Sequence, residues 1–511
     1  MDAFFEQTSA KLGGNPTADQ LRIVASILSS YPCALLFKFI PSNQILLKHL
    51  YSICITSYIM VSVLHYHYAL IHVVAACMFT YLFMKYCKSK KAPWINFIVI
   101  MLSMSYCHYT RLANTHNFDN IKDYSGILML VTIKLTSYGF NVEDGRTQDQ
   151  HLLSSYNKRM KIDRYPTLIE FFGWIFFFGG FLVGPTSEFM DYMRFATLKM
   201  FETKDGKVLV PLGVKPTMLN MLKSICFIGV IVFMSPYCNA GAVDSAHFRQ
   251  LSYFNKIVYL NVAAFVARCK YYVAWLLSEG ACILCGFGFN GFSANGTPLW
   301  NRFTNIVITK CEFAQSVKEM VDHWNIGTNR WLRYYVYERV TPRGQTGGAF
   351  SASVVYIVSA VWHGFYPGYY LFFLSVTPFQ MLARKIRRCF RPLFLVPGTK
   401  EPTRYKVYYD CAGIIVTMTI INILSAAFNL LYWAPAIRAW KEIYYTHYIL
   451  LVLGQLLLNF TSQSARKYQK AREAKAVAKA TPAAEKVMQQ DQADLSTPSL
   501  ESTKPLAKVH L

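Results

Sequence analysis

Charged side chains are scarce in this sequence, at 16% of 511 residues, where a soluble domain carries about 25%. Acidic ones are scarcer still: 28 Asp and Glu stand against 52 Lys and Arg, a formal net charge of +24. So little charge beside 53% hydrophobic residues excludes a string of soluble domains. The opening MDAFFEQTSAKLGGNP lacks a basic region followed by an apolar core, so a cleaved signal peptide is not expected and the first membrane span serves as the targeting signal. No internal repeat is evident, which argues against most secondary-transporter architectures. Of the 13 cysteines only Cys282 and Cys285 lie close together, and no second pair or His cluster completes a ligand set. They read as small buried hydrophobes of a packed helix, and His65, His67 and His72 read as interfacial packing. No metal is expected.

Long apolar blocks fill the space that charge leaves. Runs of about 18 or more apolar residues with few charges mark membrane helices. Blocks of this kind, some shorter, recur at 21–40, 46–64, 68–86, 93–110, 125–141, 167–184, 218–237, 252–267, 270–289, 349–366, 368–383, 408–433 and 443–461. They predict an all-α, polytopic integral membrane protein of roughly ten to thirteen helices. Helices too short for a hydrocarbon core about 30 Å thick must be buried in protein or line a cavity, so the fold is expected to enclose an internal chamber. Residues 1–20 form a short N-terminal segment and 21–461 the membrane domain. The tail, 462–511, is rich in Ala, Lys, Gln, Ser and Pro and cannot bury a core. It should form a short juxtamembrane helix followed by disorder. In a soluble protein the basic excess would suggest nucleic acid. Here it belongs to loops beside the spans, where it sets topology and meets anionic headgroups, so membrane lipids are the expected partner. The stretch ARKIRRCFRP (383–392), the run Lys158 to Arg164 and the tail from Arg466 should face the cytosol.

Two polar intrusions into this pattern carry chemistry. In SAVWHGFYPGYYLFF (359–373) a titratable His363 lies in an apolar run with no acidic neighbour in sequence. Ionisable residues within membranes are costly and are functional candidates by default, the alternative being a histidine that hydrogen-bonds a neighbouring helix. Gly364, Pro367 and Gly368 follow at once, so the helix should break beside the imidazole. In HWNIGTNRWLRYYVYERV (323–340) Asn325 and Asn329 stand four apart, on one face of a helix, with Trp324 and Trp331 at an interface. A surface-lying amphipathic helix accounts for that second stretch without catalysis.

Together the two stretches resemble the signature of the membrane-bound O-acyltransferase superfamily: W-N-x-x-x-N-x-W-L, then a buried W-H-G. KDYSGILMLVTIKLTSYGFNVEDG (122–145), FFFGGFLVGPTSEFMDY (176–192) and RCKYYVAWLLSEGACILCGFGFNG (268–291) are similar to further blocks of that family. The resemblance covers roughly residues 20–460 and is nearest to the lysophospholipid acyltransferase branch, including fungal broad-specificity members. It implies transfer of a fatty acyl group from acyl-CoA, a cosubstrate and not a resident cofactor, to a lysophospholipid hydroxyl. His363 and Asn325 become the catalytic pair, with Asn329 the alternative asparagine. Trp362 and Gly364 are then supporting residues.

Glu279 is expected to orient His363 or line the acceptor path, or else to pair with Arg268 or Lys270. For the phosphates of coenzyme A the candidate cations are Lys134, Arg268, Lys270, Arg330, Arg333 and Arg339. Gly179, Gly180, Gly184 and Pro185 mark a close backbone approach to a neighbour or to an acyl tunnel. The resemblance also implies residence in the endoplasmic reticulum membrane. The end Lys508-Val509-His510-Leu511 only loosely resembles a dilysine retrieval signal. Other alcohol acceptors (diacylglycerol, sterol, glycerol, a protein), a proton-relaying transporter or channel and a non-catalytic lipid scaffold are the competing readings.

Overall fold

Apolar stretches free of helix breakers propagate as helix at membrane depth, because each backbone N–H and C=O is then paired within its own segment. The computed structural model describes residues 2–13, 16–114, 123–203, 205–342, 345 and 348–496. Among these the protein is all-α, with three isolated bridges in place of strands. The first helices are α1 (Asp2–Lys11), α2 (Ala18–Lys38), α3 (Ile45–Tyr58), α4 (His67–Tyr86), α5 (Ala92–Ala113) and α6 (Ser125–Arg146). Short and long helices then alternate: α7 (Ser155–Met160), α8 (Leu168–Ile175), α9 (Phe189–Ala196), α10 (Val214–Met234), α11 (Ala246–Gln250), α12 (Tyr253–Leu284), α13 (Ile308–Glu312), α14 (Val317–His323), α15 (Ile326–Trp331) and α16 (Glu338–Val340). Five more complete the chain: α17 (Ala349–His363), α18 (Pro367–Phe390), α19 (Lys406–Leu430), α20 (Trp433–Lys441) and α21 (Thr446–Ser496).

Seven helices among the described residues are long and apolar enough to cross a membrane: α2, α3 with its π-helical extension to Val63, α4, α10, α12, α19 and α21. That is fewer than the apolar blocks suggested. Helix α6 is interrupted by Lys134, Glu143, Asp144 and Arg146, and the apolar part of α17 is short, Phe350–His363. The blocks 252–267 and 270–289 are one 32-residue helix, α12. Arg268 splits them in hydropathy, but its charge is met inside the protein by Glu312, so nothing breaks the helix.

The block 167–184 is not a span. Helix α8 stops after eight residues, and Phe176, Phe177, Phe178 and Phe181 continue as irregular but buried chain. Such chain survives only if its carbonyls find donors. Lys134 Nζ donates to the carbonyls of Trp174 and Ile175 (3.1 and 3.2 Å), Thr56 to Phe176 (2.5 Å) and Lys48 Nζ to Ala196 at the end of α9 (3.0 Å). Two buried lysines thus serve as C-caps of two short helices. The glycines allow the chain to fold on itself: a Cβ on Gly180 would stand 2.4 Å from the Pro185 carbonyl oxygen. The close approach is to the protein's own backbone.

The chain divides into two compact units, Met1–Thr377 with Ile414–Thr446, and Pro378–Gly413 with His447–Leu511. In the first, the segment Ile326–Val340, with a π-helical stretch at Leu332–Tyr337, lies along α6 by a ladder of polar rungs. Trp331 Nε1 donates to Thr136 (3.0 Å), Tyr335 to the Asn141 Oδ1 (2.9 Å) and Arg339 to both carboxylate oxygens of Asp144 (2.7 and 2.6 Å). Steps of about four residues on each side bring one rung per turn. In the second unit Leu382, Cys389 and Leu458 form a small core, and Arg472 donates to the carbonyls of Leu393 and Leu395 (2.7 and 3.1 Å). The tail expected to lose order after a short helix continues as α21 to Ser496. The stretch 497–511, with the end Lys508 to Leu511, lies outside the described residues.

Candidate functional site

A helix ends where a residue can take a left-handed conformation, and Gly364 does so at φ +117°. Helix α17 therefore stops on His363 and α18 starts at Pro367, the break that the glycines and proline predicted. His363 is half-buried among four aromatic rings: Trp362 at 4.8 Å, Phe373 at 5.1 Å, Phe428 at 5.4 Å and Tyr369 at 5.8 Å. Its Nδ1 lies 2.7 Å from the Ser359 carbonyl oxygen. A carbonyl only accepts, so Nδ1 carries the hydrogen and the lone pair is on Nε2. Nε2 has no hydrogen-bond partner among the described residues.

Asn325 does not share a helical face with Asn329. It is the left-handed residue, φ +44°, that precedes α15. A second asparagine braces it: the Gly327 N–H donates to Asn305 Oδ1 (2.9 Å), and Asn305 Nδ2 donates to Asn325 Oδ1 (3.2 Å). The backbone donor thereby fixes the orientation of both amides, and the Nδ2 of Asn325 has no partner among the described residues. The Nδ2 of Asn329, by contrast, donates to the Val321 carbonyl (3.2 Å).

No hydrogen bond joins Asn325 to His363. Their connection is aromatic: Trp331, at the end of α15, lies 6.2 Å from Trp362. The indole of Trp331 is 1% exposed and stacks on Phe97, so the interfacial placement expected of it is wrong. Its N–H finds Thr136 inside the protein, which removes the reason to sit at the membrane surface. Trp324 packs on Trp275, Tyr271 and Tyr272.

Glu279 neither orients His363 nor pairs with Arg268 or Lys270. It is buried and accepts from Thr304 (2.6 Å). Arg268 instead forms a two-pronged pair with Glu312 (2.9 and 2.7 Å) and donates to Asn422 (2.5 Å). Of the other cations, Arg339 is held by Asp144, Lys134 caps α8, Lys270 is exposed and Arg333 lies 3.9 Å from Glu338. Arg330 lines a narrow cleft together with Lys134, Tyr156, Glu188, Asp191 and Gly327. The cleft adjoins the Asn325 loop through Gly327. Glu188 there accepts from Asn141 (2.9 Å) and Tyr156 (3.0 Å).

Sequence reading missed Asn305 and His108. His108 on α5 approaches Trp362 and Gly364 directly, with Nε2 3.1 Å from the Trp362 carbonyl. The rule that singled out His363, an ionisable group inside an apolar block, applies to His108 too. Asn305 lies in no recognisable pattern.

Comparison with known proteins shows what the chain as a whole is similar to. The model of the membrane-bound O-acyltransferase family matches residues 125–426. The chain is 35% identical over 462 residues to the lysophospholipid acyltransferase of Schizosaccharomyces pombe, spanning 90% of this chain and 89% of that protein. It is 30% identical to the lysophospholipid acyltransferase of Saccharomyces cerevisiae, over 86% of this chain and 73% of that one. With the human membrane-bound glycerophospholipid O-acyltransferase 2 it shares 31% identity, over 73% and 71%.

Proposed function

The chain belongs to the membrane-bound O-acyltransferase family, and on that premise we propose that it transfers a fatty acyl group from acyl-CoA to the free hydroxyl of a lysophospholipid. The names of its relatives in two yeasts and in human support that acceptor.

The observation that carries the mechanism is the single-sided hydrogen bonding of His363. With Nδ1 donating to the Ser359 carbonyl, Nε2 keeps its lone pair, in a ring packed against Tyr369, Phe373 and Phe428. An alcohol is a weak nucleophile until a base takes its proton in the transition state. His363 Nε2 accepts that proton as the oxygen forms its bond to the thioester carbonyl carbon. The tetrahedral intermediate then expels the coenzyme A thiolate, and the imidazolium returns the proton to that sulfur. The aromatic walls keep water, a competing nucleophile, from the acyl group.

Asn325 is the asparagine we assign to the reaction. Its Oδ1 is engaged by Asn305, which leaves its N–H groups to orient the hydroxyl or to hold the developing oxyanion, a contribution of about 3–4 kcal/mol for one donor. Arg330, at the cleft beside the Asn325 loop, and the exposed Lys270 are the cations we assign to the phosphates of coenzyme A; Arg268 and Arg339 already hold carboxylates. We further place the enzyme in the endoplasmic reticulum membrane with its basic tail in the cytosol, a topology supported by the basic runs at 383–392 and from Arg466 onward.

The test is acylation of lysophosphatidylcholine by purified protein in detergent with radiolabelled oleoyl-CoA. His363→Ala should lower kcat by about a hundredfold or more, as loss of a general base does. Normal turnover in that variant refutes the mechanism. Labelling of diacylglycerol, a sterol or glycerol in preference to lysolipids refutes the acceptor.

A further inference from the structure

The direction in which a side chain leaves a helix end depends on what holds the last turn. The final carbonyls of a helix lack partners within it, and in α17 one of these, that of Trp362, is met from α5 by His108 Nε2 at 3.1 Å. Because a carbonyl only accepts, His108 carries its hydrogen on Nε2. The same ring lies against Gly364, where an added Cβ would stand 3.0 Å from His108 Nδ1 and 3.2 Å from Cγ. Glycine at 364 thus has two reasons to be there: its φ of +117° and the imidazole beneath it. At its far end the Trp362 indole N–H donates to the Met129 carbonyl of α6 (3.0 Å). The residue just before His363 is therefore held by its backbone from α5 and by its side chain from α6. His108 is 3% exposed and 254 residues away in sequence from the carbonyl it meets.

We propose that His108 is a positioning residue for the acyl transfer: by donating to the Trp362 carbonyl and filling the space under Gly364, it sets the orientation of the His363 imidazole. This rests on the assignment of His363 as the base. The donor at the ε position carries the effect, so a glutamine, whose amide N–H reaches a similar point, replaces it and an apolar ring does not. Misplacing a reacting group by about 1 Å costs up to about a hundredfold in rate. The effect falls on kcat, because His108 acts through the Trp362 carbonyl and the placement of His363.

Full-length protein in detergent, with oleoyl-CoA and lysophosphatidylcholine, tests this through His108→Phe, His108→Gln, Gly364→Ala and His363→Ala. His108→Phe should lose between about tenfold and a hundredfold in kcat, with KM for both substrates within about twofold of wild type. His108→Gln should recover kcat to within about threefold of wild type. Gly364→Ala should lower kcat as well, and combining it with His108→Phe should cost no more than the worse single variant, since both act on one contact. Equal activity of the Phe and Gln variants overturns the proposal, as does a loss that lies in KM. If His108→Phe does not yield folded protein by size-exclusion chromatography, His108→Gln against Gly364→Ala carries the same test: Gln active and Ala impaired supports it, and the reverse overturns it. Inactive His363→Ala beside unaffected His108 variants sinks the positioning role alone. Active His363→Ala sinks the base assignment itself.

Discussion

The pair Arg339–Asp144 is the rung of the polar ladder on which a wrong energy estimate would be most visible. Both side chains are withdrawn from solvent, at 16% and 4% exposure, and the guanidinium meets both carboxylate oxygens at 2.7 and 2.6 Å. It also lies over the rings of Phe140 and Tyr335 (4.9 and 5.9 Å). Removing one partner leaves the other charge buried, which costs about 3–5 kcal/mol. Replacing both by apolar side chains of similar volume removes two desolvation costs with the attraction, and such exchanges are often near neutral. Arg339→Met and Asp144→Leu alone should therefore each lower the midpoint of unfolding in a denaturing-detergent titration, and the double variant should recover most of the loss. Turnover should follow the same order, because this rung anchors the segment whose start carries Asn325 and whose Trp331 meets Trp362. A double variant as unstable as the sum of the singles refutes the reasoning, and singles that match wild type refute the burial argument behind it.

The two asparagines separate in the same acylation assay. Asn325→Ala should lose about a hundredfold or more in kcat, the effect of one lost oxyanion donor, while Asn329→Ala, which breaks only a bond to the Val321 carbonyl, should stay within about tenfold. Lys134→Met removes the donor to two carbonyls at the end of α8; each buried group left unpaired costs about 1–3 kcal/mol, which a lowered midpoint of thermal unfolding would record. Gly180→Ala forces a methyl to within 2.4 Å of the Pro185 carbonyl oxygen and should reduce the yield of folded protein in fluorescence-detected chromatography.

Much of the site was legible because the rule used is local. A histidine in an apolar run followed by Gly-x-x-Pro-Gly predicts a helix end beside an imidazole, and α17 ends there. Periodicity failed where charge or glycine was compensated from afar. Arg268 divided one helix into two apparent blocks because its partner Glu312 is 44 residues away. The block 167–184 read as a span because apolar composition does not reveal that Phe176 to Ser187 is irregular chain, largely buried, with the carbonyls of Phe176, Gly179 and Ser187 met by Thr56, Cys282 and Trp174. Trp331 was misplaced for the same reason, since its indole partner, Thr136, is 195 residues earlier.

By itself the sequence determined the class of molecule: scarce charge and long apolar blocks leave no stable state but a bundle of helices in lipid, and the resemblance of its motifs to a family named the chemistry. Tertiary structure decided which polar groups are spoken for. The same composition allows Arg268, Arg339 or Lys134 to meet a phosphate, yet each already holds a carboxylate or a helix end. A carbonyl one turn back in its own helix settles which nitrogen of His363 carries the lone pair, and Asn305, 20 residues away in sequence, settles which asparagine keeps its amide hydrogens. At membrane depth no water substitutes for a missing partner, so backbone groups in irregular chain, such as the carbonyls at the end of α8, must be met within the protein.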